Sequence, residues 1–217
     1  MKKLILSLFL LTCCTASLAG AEKPFDIIVA GGLVYTGDGG EPLQADVGIS
    51  GDRISAVGDL SGRITAQRID ASGLVVTPGF IDIHSHAVRK TVEKSGIFKW
   101  PDAENYIRQG VTTAIGGPDG SSWYPLAELW GLLEAAPSTV NFGTFVGHNT
   151  VRQLAMGRAN RAPTAAEQQA MNELVERAMK EGAYGLSSGL KYIPGAYSET
   201  DEVVELARVA GRHGGIY

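Results

Sequence analysis

Thr77-Pro78-Gly79-Phe80-Ile81-Asp82-Ile83-His84-Ser85-His86 reads as a short buried strand ending in two histidines one residue apart. Side chains at i and i+2 of a strand share a face. His84 and His86 are therefore expected to aim two imidazole nitrogens at one point. A cation such as zinc, held at about 2.0–2.1 Å from each nitrogen, suits that arrangement. A His-x-His pair can also be structural. The Pro-Gly-apolar-Asp run ahead of this one favours the ligand reading.

Downstream of this stretch, strand-like runs alternate with helical segments, the pattern of βα units on a parallel sheet. Strands are expected at Gly79 to Ile83, Val111 to Ile115, Val140 to Val146 and around Gly185-Leu186-Ser187. Helices are expected at Pro101 to Gln109, Tyr124 to Ala136, Thr164 to Glu181 and Glu199 to His213. The third of these is the clearest: Thr164 is an N-cap, Glu167 completes a capping box and Gly182 is the stop. Ile216-Tyr217 then reads as the start of a fifth strand. A parallel sheet broken off there exposes a wide unpaired edge. The 217 residues are accordingly expected to belong to a longer protein and to be inactive alone.

In βα architectures reactive groups gather where strands end. The first strand leads to His84 and His86, and the second to Gly116-Gly117-Pro118-Asp119-Gly120. The third leads to Gly147-His148-Asn149-Thr150-Val151-Arg152, and the fourth to Ser187-Ser188-Gly189-Leu190-Lys191-Tyr192. Glycine in such places lets backbone approach a ligand closely. Asp119 can serve a site or simply a turn. His148 can serve a site or be a core histidine. Lys191 can serve a site or be a solvated surface lysine. His213, at a helix end before Gly214-Gly215, reads as structural. His148, Arg152 and Tyr192 are the candidates for touching a substrate.

Upstream, residues 25–76 read as all-β. Phe25 to Val29 stops at Gly31-Gly32, Leu33 to Thr36 follows, and Gly51-Asp52-Arg53 marks a hairpin between two alternating runs. Arg68 to Asp70 and Leu74 to Val76 complete a small sheet. About fifty such residues make a poor independent core. The expected domains are therefore 22–77, a small β-domain, and 78–217, the βα part.

Residues 1–21 read as a secretory signal peptide: basic Met1-Lys2-Lys3, apolar Leu4 to Leu11, then small residues with cleavage after Ala19 or Ala21. Cys13 and Cys14 raise a lipoprotein alternative, which the residues preceding them disfavour. Both cysteines leave with the signal, so the mature chain has no thiol to act as ligand or nucleophile. A secreted or periplasmic location follows as an expectation. Without Lys2 and Lys3 the chain carries 17 basic against 23 acidic residues, a net of −6. With no basic stripe, nucleic acid is not expected as a partner. Nothing after residue 21 is long and apolar enough to span a membrane.

The run from Pro78 to His86 resembles the first-strand signature of the amidohydrolase superfamily. Gln109-Gly110-Val111-Thr112-Thr113, Gly147-His148-Asn149 and the segment from Gly182 to Gly195 resemble the N-acyl-D-amino-acid deacylase branch. The resemblance covers residues 25–217. It implies the N-terminal half of a metal-dependent (β/α)8 barrel, preceded by part of a small β-sandwich domain and binding one or two zinc ions. It implies that His84 and His86 are ligands. A cysteine commonly ligates the metal after the second strand, and Asp119 stands in that place here, which is a departure from the pattern. Lys191 stands where some relatives carry a carboxylated, metal-bridging lysine; holding the substrate carboxylate is its other implied role. Two more histidine ligands and a catalytic aspartate are implied beyond Tyr217. The implied reaction is hydrolysis of an N-acyl-D-amino acid, a small-molecule substrate. A dihydropyrimidinase-like cyclic amidase or an isoaspartyl dipeptidase is the alternative.

Overall fold

The structure, a computed structural model, describes residues 24–88 and 96–217. The expected signal peptide, with Cys13 and Cys14, lies outside the described residues. The chain divides into two compact units, one through Pro78 and one from Gly79 to Tyr217.

The first unit carries β1 (Phe25–Val34), β2 (Leu43–Ser50), β3 (Arg53–Gly58), β4 (Thr65–Asp70) and β5 (Val75–Val76). They form one five-stranded sheet in the order β3-β2-β1-β4, with β5 also pairing β1. The β2–β3 hairpin turns at Gly51, whose φ of +60° suits a residue without Cβ. The Asp26 carboxylate accepts the Gly51 amide at 2.6 Å and ties that turn to β1. One expectation needs correcting here. The chain does not stop at Gly31-Gly32; β1 runs through both glycines, with its register against β2 shifting between Val29 and Gly32. The Asp46 carboxylate accepts the Gly31 amide at this irregularity. Two small apolar clusters, Phe25-Ile28-Leu60 and Val34-Ala45-Val47, are buried in this unit.

The second unit begins with β6 (Phe80–Asp82), followed by α1 (Gly96–Lys99), α2 (Glu104–Ile107), β7 (Val111–Gly116) and α3 (Leu126–Ala135). Next come β8 (Asn141–Thr144), β9 (Val146–Gly147), α4 (His148–Met156), α5 (Ala165–Lys180), β10 (Leu186–Ser187), a 3-10 turn at Gly195–Tyr197 and α6 (Thr200–Arg212). β6, β7 and β8 are parallel neighbours. Phe145 breaks the third strand, and β9 resumes it in parallel pairing with β10. Gly185 in turn bridges Ile216, again in parallel. The unit is thus an α/β array whose strands lie side by side in chain order.

The helices pack their apolar stripes against these strands. Leu129 of α3, Val146 of β9, Val151 of α4, Met171 and Val175 of α5, Leu186 of β10 and Leu206 of α6 share one buried cluster. Burying such a side chain contributes roughly 1.5–3 kcal/mol. The capping box of α5 is present: Thr164 Oγ1 accepts the Glu167 amide, and the Glu167 carboxylate accepts the Thr164 amide at 2.8 Å. Arg161 and Thr164 bonds hold the Glu167 carboxyl down at about 2. Pro125 gives α3 no side-chain cap, and Glu181 supplies one from a distance by accepting the Leu126 and Ala127 amides.

Two expected elements differ. The helix over Pro101 to Gln109 shrinks to α2, because Ala103 takes a φ of +44° just ahead of it. The segment after the third strand, read as an open strand end, is the helix α4 from His148 onward.

Candidate metal centre

β6 ends at Asp82, two residues before the first histidine, so the pair does not sit on a continuing strand as its spacing suggests. The Asp82 carboxylate accepts the His84 amide at 3.0 Å and bends the chain. Ser85 then donates its amide to the Ile115 carbonyl at 3.0 Å, which keeps this segment beside β7. His84 and His86 flank that anchor and both reach solvent. Their ring centroids lie 5.8 Å apart.

Asp119 comes from the loop after β7. It occupies the left-handed region at φ +58°, between Gly117 and Gly120, which are also at positive φ. Aspartate tolerates that conformation better than most residues. Its Oδ2 lies 3.6 Å from His84 Nε2 and 3.6 Å from His86 Nε2. Those separations are too long for hydrogen bonds. Three atoms at about 2.0–2.2 Å from a tetrahedral zinc stand about 3.4 Å from one another. The observed spacing is close to that value, and the ligand atoms of all three residues lie within 4.8 Å of one another. The donor set, two imidazoles and one carboxylate, suits zinc.

A cavity of about 590 Å³ opens beside this cluster. His86 and Asp119 line it, together with Trp123, Phe142, Thr144, Asn149, Tyr192 and Ile193. Its wall mixes aromatic and apolar side chains with a comparable share of polar ones, among them Ser121, Ser122, Thr150 and Gln153, so it offers both apolar contact and hydrogen-bonding groups to a small molecule.

The other expected site residues divide. Tyr192 lines the cavity. Lys191 is exposed and does not line it. His148 and Arg152 do not line the cavity, and both side chains are fully buried. The reason is that His148 opens α4 and points at α6. His148 Nε2 pairs with Glu202 Oε1 at 2.7 Å, and Arg152 Nη1 donates to Glu202 Oε2. Arg152 Nη2 also donates to the Arg161 carbonyl at 2.7 Å. Burial works against charge on Glu202, but the His148 and Arg152 hydrogen bonds and the Arg152 charge outweigh it and hold the carboxyl below its usual range. What α4 presents to the cavity instead is Asn149, Thr150 and Gln153. Sequence reasoning missed these three; the helical spacing of Val151, Leu154 and Ala155 and a stop at Gly157 were the available signals.

Residues 67–213 match the amidohydrolase family. The chain belongs to that family. It is 38% identical to the D-aminoacylase of Alcaligenes xylosoxydans xylosoxydans over 219 residues, which cover 90% of this chain and 44% of that protein. A D-aminoacylase structure described for its binuclear metal centre superposes with a TM-score of 0.78 at 39% identity, over 89% of this chain and 44% of that one. The N-acyl-D-glutamate deacylase of Bordetella bronchiseptica, complexed with zinc and a phosphonate inhibitor, gives 0.76 at 37% identity, over 88% and 44%. The chain therefore spans less than half the length of the relatives it matches. Among the described residues, no helix is long and apolar enough to cross a membrane.

Proposed function

We propose that the whole protein is a secreted or periplasmic, zinc-dependent hydrolase that cleaves the amide bond of N-acyl-D-amino acids. The observation that carries this reading is the convergence of His84, His86 and Asp119 at metal-ligand spacing, with His86 and Asp119 on the wall of the cavity. The likeness to a D-aminoacylase and to a zinc-complexed deacylase supports the substrate class. The location rests on the Met1 to Ala21 segment. The consecutive parallel strands of the second unit are read as half of a (β/α)8 barrel.

In this reading His84, His86 and Asp119 hold zinc. Bound there, zinc supplies Lewis acidity that polarises an amide carbonyl and lowers the pKa of water towards about 7. Trp123, Phe142 and Tyr192 line the cavity and shield the substrate from bulk water. Water adds to the carbonyl carbon, the C–N bond breaks, and the products are a carboxylate and a free D-amino acid. The proton transfers are assigned to the carboxylate that the resemblance implies beyond Tyr217.

The test is an assay of the zinc-loaded protein on N-acetyl-D-amino acids, their L-enantiomers and dihydrouracil. Release of free amino acid from the D-series alone is expected. Opening of dihydrouracil without deacylation would replace this reading with the cyclic-amidase alternative.

A further inference from the structure

The Asp119 carboxylate sits equally far from both histidines, although its backbone is in a conformation that side-chain-bearing residues rarely adopt. Something has to hold it there. The Ser187 hydroxyl, at the end of β10, donates to the Gly117 carbonyl at 2.5 Å and accepts the Gly120 amide at 3.2 Å. One hydroxyl thus spans the turn on both sides of Pro118-Asp119 and uses its donor and one acceptor position in doing so. Asn149 adds a second tie by donating Nδ2 to the Gly189 carbonyl at 3.2 Å and to the Asp119 carbonyl at 3.5 Å. The fit is close: a Cβ on Gly189 would fall 2.0 Å from the Asp119 carbonyl oxygen.

We propose that Ser187 is a positioning residue for the metal centre: its bridge from Gly117 to Gly120 sets where the Asp119 carboxylate stands relative to His84 and His86. This inference rests on the metal reading above. Groups that orient ligands from behind typically change metal affinity by about 10–100-fold when removed. Ser188 serves as a control, since its hydroxyl pairs with Tyr217 rather than with the Asp119 loop.

The test measures Co²⁺ and Zn²⁺ affinity by chelator competition, together with the visible absorption of the cobalt-loaded protein. Ser187→Ala is expected to weaken binding about tenfold or more and to alter the cobalt spectrum. Ser188→Ala is expected to leave both unchanged. Thr and Val at position 187 have the same shape and differ in the hydroxyl, so Ser187→Thr is expected to bind nearly as wild type and Ser187→Val as weakly as Ser187→Ala. This pair decides the matter if Ser187→Ala does not fold. In an Asp119→Ala background, Ser187→Ala is expected to have no further effect. If wild type binds neither metal, the metal reading itself falls. If wild type binds and Asp119→Ala weakens binding while the Ser187 variants do not, the positioning role alone is overturned.

Discussion

Two clusters in the second unit use nearly the same chemistry and do opposite things. In one, the Asp119 carboxylate stands between His84 and His86; in the other, the Glu202 carboxylate stands between His148 and Arg152. The first has side chains 62%, 53% and 37% exposed and gaps of 3.6 Å. The second has side chains at most 2% exposed, with His148 at hydrogen-bond distance from Glu202. A gap too wide for a hydrogen bond, reached by solvent and bordering a cavity, leaves room for an ion. A closed, buried pairing satisfies itself and holds α4 against α6. Separation and access, more than residue type, decide which carboxylate belongs to a site.

The comparison breaks hardest at the buried cluster. Glu202→Ala leaves Arg152 buried without its carboxylate, a loss of roughly 3–5 kcal/mol, to be read from urea unfolding. Acid should test the same contact. With the folded-state Glu202 carboxyl held below 4.5, the unfolded chain takes up the proton first. The stabilisation is therefore present above pH 4.5 and lost as pH falls through and below that value. A Glu202→Gln variant is expected to show a shallower loss between about pH 5 and 3; an unchanged slope would remove Glu202 from the account of acid sensitivity.

At the exposed cluster the loss should appear in metal binding rather than folding. Structural zinc sites yield roughly 10–16 kcal/mol over four ligands, so one imidazole corresponds to about 3 kcal/mol. His86→Ala is expected to weaken zinc binding by about 100-fold or more, with the urea midpoint of the metal-free protein little changed. A large loss of metal-free stability would mean that the two clusters are less different than described. Smaller effects calibrate the scale. Thr164→Ala removes the α5 cap and should cost about 1 kcal/mol in thermal unfolding. Arg108→Ala breaks an exposed pair with Glu104 at 3.3 Å and should stay within about 0.5 kcal/mol.

Much of this was legible beforehand where a local rule acts alone. The α5 capping box and the β2–β3 hairpin depend on residues a few positions apart, and both stand as read. The consecutive parallel strands followed from the alternation of patterns. Three features escaped because long-range contacts decide them. β1 continues through Gly31-Gly32 because β2 accommodates a register shift there. α4 begins with His148-Asn149-Thr150, poor helix formers, and gains from the buried contacts of Val151 and from the Glu202 pairing. Asp119 looked as much like a turn residue as a ligand, because its place beside the histidines depends on the loop's ties to Ser187 and Asn149, far away in the chain.

The most direct measurement is anomalous diffraction at the zinc edge from zinc-soaked crystals of the protein. The expected result is a peak at about 2.0–2.2 Å from His84 Nε2, His86 Nε2 and Asp119 Oδ2. A fully soaked crystal with no peak there, or with its strongest peak at other residues, would contradict the metal centre described above.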